Sequence, residues 1–387
     1  MFSRWIKLTN KKSIILQGPR RAGKSTLLKL LFSDYKYVTL DDLDDLGAAK
    51  NDPKWFVESL GKKFIIDEAQ RVPELTIPVK KLIDEKKIHC ILTGSTGINL
   101  ADKIHDTLAG RVNYTKLPTC VFGENYGDPT HSIFDKMDST QTKIAKRQFE
   151  SFLEYGGFPE IISETNSEEK EILLKNYKNT YFTRDLAQLI NVESVEGIKA
   201  IFGALVKGIG SRYEISSLSK ESGLSVPTTK KYLNSIVSTG LVFKLYGYHL
   251  GPAKRYLSKA KSYFLDQGIL FSLSDEYSKG QQVENFVISE VEKRRQLGQI
   301  NCDELFYYET KDGAEIDLIV DERKIIFVIE IKSSQKISGR DLQNIKQFSI
   351  NTTKKVKKIV FYLGDEFYSD GDISIIPVWN FFRASWN

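Results

Sequence analysis

The 387-residue sequence contains no run of eighteen or more apolar residues, so neither a membrane-spanning helix nor a membrane partner is expected. Its opening stretch, MFSRWIKLTNKKSIILQG, lacks the apolar core and cleavage site of a signal peptide, and a cytoplasmic location is expected. Only three cysteines occur (Cys90, Cys120, Cys302), scattered too widely for a disulfide framework or a zinc spacing. The four histidines form no HxxxH pair. Charge of one sign is also scarce: 56 Lys/Arg against 50 Asp/Glu leave only +6. The basic excess gathers between Glu196 and Ser262, where eleven Lys/Arg face three Glu. Such a segment fits either a polyanion partner or an ordinary solvated face. The length calls for two to four domains.

The first 120 residues alternate short apolar runs with helical patterns. SIILQ (13–17), KYVTL (36–40), KFIID (63–67), HCILT (89–93) and RVNYT (111–115) read as strands of a parallel sheet with helices on both faces. After the first comes GPRRAGKST, which matches G-x-x-x-x-G-K-[ST] between a strand and a helix. Gly18, Pro19, Arg20, Arg21, Ala22, Gly23, Lys24, Ser25 and Thr26 form the expected phosphate cradle. Gly18 and Gly23 let backbone N–H groups wrap the phosphates, Lys24 reaches the β- and γ-phosphates, and the Ser25 hydroxyl ligates Mg²⁺. Asp67, ending KFIID, is placed for the Mg²⁺ shell, and Glu68 to polarise the attacking water. HCILTGST ends a further strand with Thr93 and Ser95, where a polar residue can sense the γ-phosphate. Arg111 is a candidate to stabilise charge on the transferred phosphate, or else to pair with a nearby acid.

Residues 123–142 are rich in turn formers and read as a linker, followed by a helical stretch broken at YGGFPE. EISSLSKESGLSVPTTKKYLNSIVSTGLVFKL reads as a helix-turn-helix, with Gly223 in the turn, Ser225 as cap and Pro227 in the first turn of the second helix. Thr228, Thr229, Lys230, Lys231 and Asn234 are expected to face a DNA groove, and Lys254, Arg255, Lys259 and Lys261 to contact phosphates. A packing or protein-docking role for the same segment stays open.

In KIIFVIEIK, period-2 alternation puts Glu330 and Lys332 on one face. AEIDLIV precedes it across a short turn and puts Glu315, Asp317 and Ile319 on one face, with Asp317 opposite or diagonal to Glu330. The upstream helix in QQVENFVISEVEK carries Glu284. Asp317 and Glu330 are candidate Mg²⁺ ligands, with the Ile331 carbonyl as a further oxygen and Glu284 as an outer ligand. Lys332 is placed to orient a metal-activated water. Gln343 and Gln347 are further candidates for the same pocket. A structural Glu330–Lys332 ion pair is the alternative.

GPRRAGKST, DDLDD…DPKWF, IIDEAQRVPEL and ILTGST…LAGRV, with YGGFPE, YFTRDL, SYFLDQGIL and GQQVENF further on, resemble one archaeal and bacterial family. Its members join an AAA+-type ATPase domain to a helical and winged-helix region and a C-terminal PD-(D/E)xK nuclease-like domain. The resemblance implies an α/β chain with a P-loop ATPase core at 1–122, a linker and helical lid at 123–194, a winged helix at 195–261 and the nuclease-like domain at 262–387. It implies ATP bound through Gly23, Lys24 and Ser25, Asp67 and Glu68 at the magnesium and water, Ser95 as sensor and Arg111 as a finger acting in cis or in trans. Arg184 and Asp185 fall in a block whose role the residues alone do not give. Two functions follow as expectations: an ATPase acting on DNA with a metal-dependent nuclease, or an ATP-dependent switch whose C-terminal domain only binds. A homo-oligomer or a protein partner is compatible with both.

Overall fold

The computed structural model describes residues 2–9, 11–95, 107–181, 195–249, 259–274, 276–310 and 313–386, without the side chain of Ser95. The N-terminal part is a three-layer unit. Its elements run β1 (Ser13–Gly18), α1 (Lys24–Leu31), β2 (Lys36–Thr39), α2 (Leu43–Asn51), α3 (Pro53–Ser59), β3 (Lys63–Asp67), α4 (Thr76–Asp84), β4 (His89–Ser95) and β5 (Val112–Lys116). The five strands form one parallel sheet in the order β2-β3-β4-β1-β5. A parallel sheet covered on both faces needs near-continuous apolar strands, and β1 and β3 have them. Alternate residues of β1 go to opposite layers: Ile14 and Leu16 pack with Leu27 and Leu28 of α1, while Ile15 packs with Ala49, Phe56 and Val79 of α2, α3 and α4.

The stretch expected as a linker is instead packed into the protein. Phe122, Glu124 and Ile133 are buried. A short strand β6 (His131–Ser132) pairs with the last residues of the chain, and Thr130 N–H donates to Arg383 O at 2.8 Å. Turn-forming composition here marks tight corners, and burial came from a partner about 250 residues away in sequence, which no local pattern announces. Three helices follow: α5 (Ser139–Tyr155), α6 (Pro159–Ser163) and α7 (Ser167–Thr180).

The next elements are α8 (Val195–Lys207), β7 (Arg212–Tyr213), α9 (Ile215–Ser222), α10 (Val226–Ser238), β8 (Val242–Gly247) and β9 (Ala260–Phe264). The helix-turn-helix geometry is as read: Gly223 adopts φ 66°, and Ser225 caps α10 by accepting from Thr228 N–H. After α11 (Gln267–Leu273) and the 18-residue α12 (Lys279–Gln296) come β10 (Leu305–Glu309), β11 (Glu315–Asp321), β12 (Ile325–Lys332), α13 (Gln343–Gln347), β13 (Lys355–Tyr362), β14 (Tyr368–Asp370), β15 (Ile373–Pro377) and β16 (Ala384–Ser385). Helix α12 is enclosed on all sides, which explains why its sequence shows little amphipathic contrast.

The separation expected between residues 261 and 262 falls inside β9. All strands from β7 to β15 belong to one mixed nine-stranded sheet, ordered β14-β15-β13-β12-β11-β10-β8-β9-β7. The link is parallel pairing of β8 with β10, Tyr246 beside Phe306 and Gly247 beside Tyr307. The strands flanking the helix-turn-helix and those carrying the C-terminal carboxylates therefore belong to one sheet. Among the described residues no helix is long and apolar enough to cross a membrane.

Candidate functional site

Parallel strands deliver their carboxyl ends to one edge of the sheet, and ligands bind there. The loop after β1 turns into α1 at Gly23, whose φ of 89° suits glycine. A Cβ on Gly23 would also stand 3.4 Å from Cγ of Pro159. Gly18 has a different reason: a Cβ there would lie 2.1 Å from the Leu117 carbonyl, so the strand could not approach its neighbour. The Lys24 ammonium, almost fully buried, donates to Gly18 O at 2.9 Å and Pro19 O at 3.0 Å. Ala22 is buried, and its carbonyl accepts from Arg4 Nη1 at 2.6 Å.

Asp67 is the hub. Ser25 Oγ donates to its Oδ2 at 2.5 Å, Tyr37 OH donates to the same oxygen, and Thr93 Oγ1 donates to Oδ1. Burial pulls this carboxyl upward, but the three hydrogen bonds and the Lys24 charge outweigh it and hold it below the usual range. Tyr37 and Thr93 come from β2 and β4, the strands flanking β3. A cavity of about 480 Å³ opens beside this hub. Arg20, Arg21, Lys24, Ser25 and Thr26 line one wall, with Glu68 beside them, and Pro159 and Glu160 of α6 close the other. Arg21 pairs with Glu160 at 3.0 Å. Glu68 sits at φ 56°, uncommon for a non-glycine residue, and accepts from Gln70 Nε2.

Two expected members are placed differently. Arg111 does not line the cavity; its Nε donates to Asp84 Oδ1 at 2.6 Å at the end of α4, the alternative open for it in the sequence. Ser95 pairs through its backbone with Gly18, while its side chain lies outside the described residues; Thr93 is the β4 hydroxyl seen on Asp67. Pro159 and Glu160 were unassigned by sequence reasoning although YGGFPE contains them. Tyr37 and Arg4 carried no motif signal at all.

The second group lies where β11 and β12 part. Between Phe306 and Tyr308 of β10, β11 fits an extra residue, pairing Ile319 and then Ile316. This bulge breaks the alternation expected for Glu315, Asp317 and Ile319, since Ile316 and Ile319 now pack in the same cluster. It sends the Asp317 carboxylate to the backbone of β12, where Oδ2 accepts from Ile331 N–H at 2.7 Å. Glu330 is 1% exposed; its Oε2 accepts from Lys332 Nζ at 2.8 Å, and its carboxyl also lies within hydrogen-bonding reach of Asp317. Burial raises the carboxyls of Glu330, Asp317 and Glu284. The Asp317 charge adds to this for Glu330 and Glu284, while Lys332 opposes it at Glu330 and Asp317, and Lys261 at Glu284 and Asp317. Glu284 accepts from Tyr263 OH at 2.7 Å. Among the described residues no three His, Cys, Asp or Glu side chains stand close enough to hold one metal ion together. On α13, Asn344 rather than Gln343 or Gln347 reaches β11, donating to Glu315 O at 3.1 Å.

The residues expected on a DNA face are placed as follows. Lys230, Lys231 and Asn234 are exposed on α10. Thr229 is buried, its hydroxyl donating to Ser225 O at 2.9 Å. Lys259 pairs with Glu214 at 2.5 Å, and Lys261 is buried against Glu315. Lys254, Arg255, Arg184 and Asp185 lie outside the described residues.

Sheet order, loop, hub and cavity define an AAA-type P-loop ATPase domain. Comparison with protein families agrees: residues 10–126 match an AAA domain, followed by two domains of unknown function, DUF8612 at 146–279 and DUF4143 at 279–381. An uncharacterized protein of Methanocaldococcus jannaschii is 25% identical, over 97% of this chain and 89% of its own length. Another, from Mycobacterium tuberculosis, is 25% identical over 82% of this chain and 70% of its own. Among solved structures, a signal transduction ATPase with a tetratricopeptide repeat sensor from Pyrococcus horikoshii matches 75% of this chain and 45% of its own. Its 13% identity and TM-score of 0.22 carry no argument.

Proposed function

We propose that the N-terminal domain binds ATP with magnesium and hydrolyses it to ADP and phosphate. The observation that carries this is the meeting of Lys24, Ser25 and Glu68 on one cavity, with Asp67 bonded to Ser25 behind it. The backbone N–H groups opening α1 and the Lys24 ammonium face the phosphates. Ser25 Oγ and Asp67, hard oxygen donors already in contact, would hold Mg²⁺, which when bound neutralises charge on the β- and γ-phosphates. Thr93 and Tyr37 fix the Asp67 carboxylate, and Glu68 orients the attacking water and takes its proton. Glu68→Gln keeps the shape and loses the base. ATP binding should survive in this variant, while steady-state turnover falls about 10²–10⁴-fold, the range of general-base catalysis. Turnover within threefold of wild type would remove Glu68 from the mechanism.

A second reading concerns the C-terminal carboxylates, as a magnesium-dependent phosphodiesterase acting on DNA or RNA. The placing of Asp317 at the end of the β11–β12 ladder, against the buried Glu330 carboxyl, favours it. Asp317 and Glu330 would hold the ion, which supplies an activated water, and Lys332 would orient that water. The exposed Lys230 and Lys231 on α10 offer phosphate contacts, and the strands that follow α10 belong to the same sheet as the carboxylates. Wild type should cut a nucleic acid with Mg²⁺, and Asp317→Ala should not. If wild type cleaves no form of DNA or RNA while ATPase is intact, the domain is a binding module.

A further inference from the structure

Arg21 has no part in the mechanism above, although it lines the nucleotide cavity and its backbone stands in the left-handed region at φ 58°. That region suits glycine, and an arginine there carries strain. The strained turn brings a long cation to the cavity wall. Its Nη1 donates to Glu160 Oε2 at 3.0 Å, joining the phosphate loop to α6. The two side chains are 44% and 51% exposed, and a pair so open to water stabilises little and is readily exchanged for a stronger one. Arg4 and Arg111 are committed elsewhere: Arg4 holds Glu124 and the carbonyls of Ala22 and Pro118, and Arg111 pairs with Asp84. Glu160 is the fixed end of the pair. Just before α6, Gly157 O accepts from Cys120 N–H at 2.7 Å, and Gly157 N–H donates to Asp266 Oδ2 at 2.9 Å. Phe158 packs on Tyr177 with ring centres 4.5 Å apart. These contacts hold the start of α6, so the arginine is the partner that can turn.

We propose that Arg21 reads the γ-phosphate. Without nucleotide, and with ADP, its guanidinium rests on Glu160; with ATP it leaves that carboxylate for the γ-phosphate oxygens. The inference rests on the ATPase reading of this cavity. A planar guanidinium grips a phosphate through paired hydrogen bonds, and a terminal phosphate carries more negative charge than a carboxylate. The γ-phosphate therefore wins the competition for Arg21. ADP lacks that group and leaves the resting pair in place. Arg21 and Glu160 act with opposite signs on the preference for ATP over ADP. The arginine adds a contact that only ATP has, so its loss weakens ATP. The glutamate competes for the arginine, so its loss tightens ATP.

The test is calorimetric titration of the full chain with AMP-PNP, a non-hydrolysable ATP analogue, and with ADP, each in the presence of Mg²⁺. Arg21→Gln should weaken AMP-PNP about 10–100-fold, the range of a hydrogen bond to a charged group, and shift ADP by less than about threefold. Glu160→Gln should tighten AMP-PNP severalfold. In the Arg21→Gln background the same change should have no effect, because the competition it relieves is gone. An Arg21→Gln variant that weakens both nucleotides alike, or neither, overturns the inference while leaving the ATPase reading standing. So does a Glu160→Gln effect that is absent or that persists without Arg21. A wild-type chain that binds neither nucleotide overturns both.

Discussion

Lys24→Ala should abolish ATP hydrolysis while the protein folds as wild type does. The Lys24 ammonium is held by the carbonyls of Gly18 and Pro19 on the wall of the nucleotide cavity. Removing it leaves two carbonyls that water in the cavity can satisfy, so the effect on stability is small. The effect on chemistry is large, because among the described residues no other lysine lines that cavity. Loss of one preorganised donor to developing charge costs about 10²–10³ in rate. Lys24 contributes a full charge to both binding and the transition state, so phosphate release should drop at least that far. Release within about tenfold of wild type would mean that the loop does not act on nucleotide as proposed.

The largest loss of stability is expected from Glu124→Ala. Arg4 and Glu124 form a buried ion pair, with Arg4 Nε on Glu124 Oε1 at 2.9 Å. Glu124 also accepts from the backbone N–H groups of Trp5 at 2.6 Å and Val121 at 3.0 Å. Truncation strands a buried guanidinium and two buried donors. Breaking a buried pair from one side costs about 3–5 kcal/mol, and urea denaturation should show a loss of that size. Arg4 also grips the Ala22 carbonyl and that of Pro118, so the variant should loosen the phosphate loop and weaken ATP binding as well. Glu124→Gln, which keeps an acceptor, should recover part of both. A loss under about 1 kcal/mol, the range of exposed pairs, would show that the pair does not anchor the loop.

Much of the N-terminal half was legible in sequence because its signals are local. Apolar runs at 13–17, 36–40, 63–67, 89–93 and 111–115 all fall on strands of the sheet, and the loop motif lies between a strand and a helix. What could not be read depends on which strands are neighbours. Tyr37 and Thr93 meet Asp67 only because β2 and β4 flank β3. The same limit explains Arg111, whose carboxylate partner Asp84 precedes it by 27 residues. Glu330 and Lys332 followed from alternation, and their contact at 2.8 Å matches it. Asp317 does lie against Glu330 as expected, but one extra residue in β11 breaks the alternation along that strand, and its Oδ2 also accepts from Ile331 N–H. Residues 195–261 looked like a separate unit since their helix-turn-helix signal is strong. Pairing of β8 with β10 across some 60 residues of sequence joins them to the C-terminal sheet, and that register is set by tertiary packing.

ATP turnover is proposed for the cavity between the phosphate loop and α6. The most direct measurement is phosphate release from ATP by the full wild-type chain, with and without Mg²⁺, beside direct nucleotide binding. ATP should bind, and phosphate release should depend on Mg²⁺ and stop on chelation. A folded chain that neither binds nor hydrolyses ATP would contradict the proposal, and so would release at the same rate without Mg²⁺.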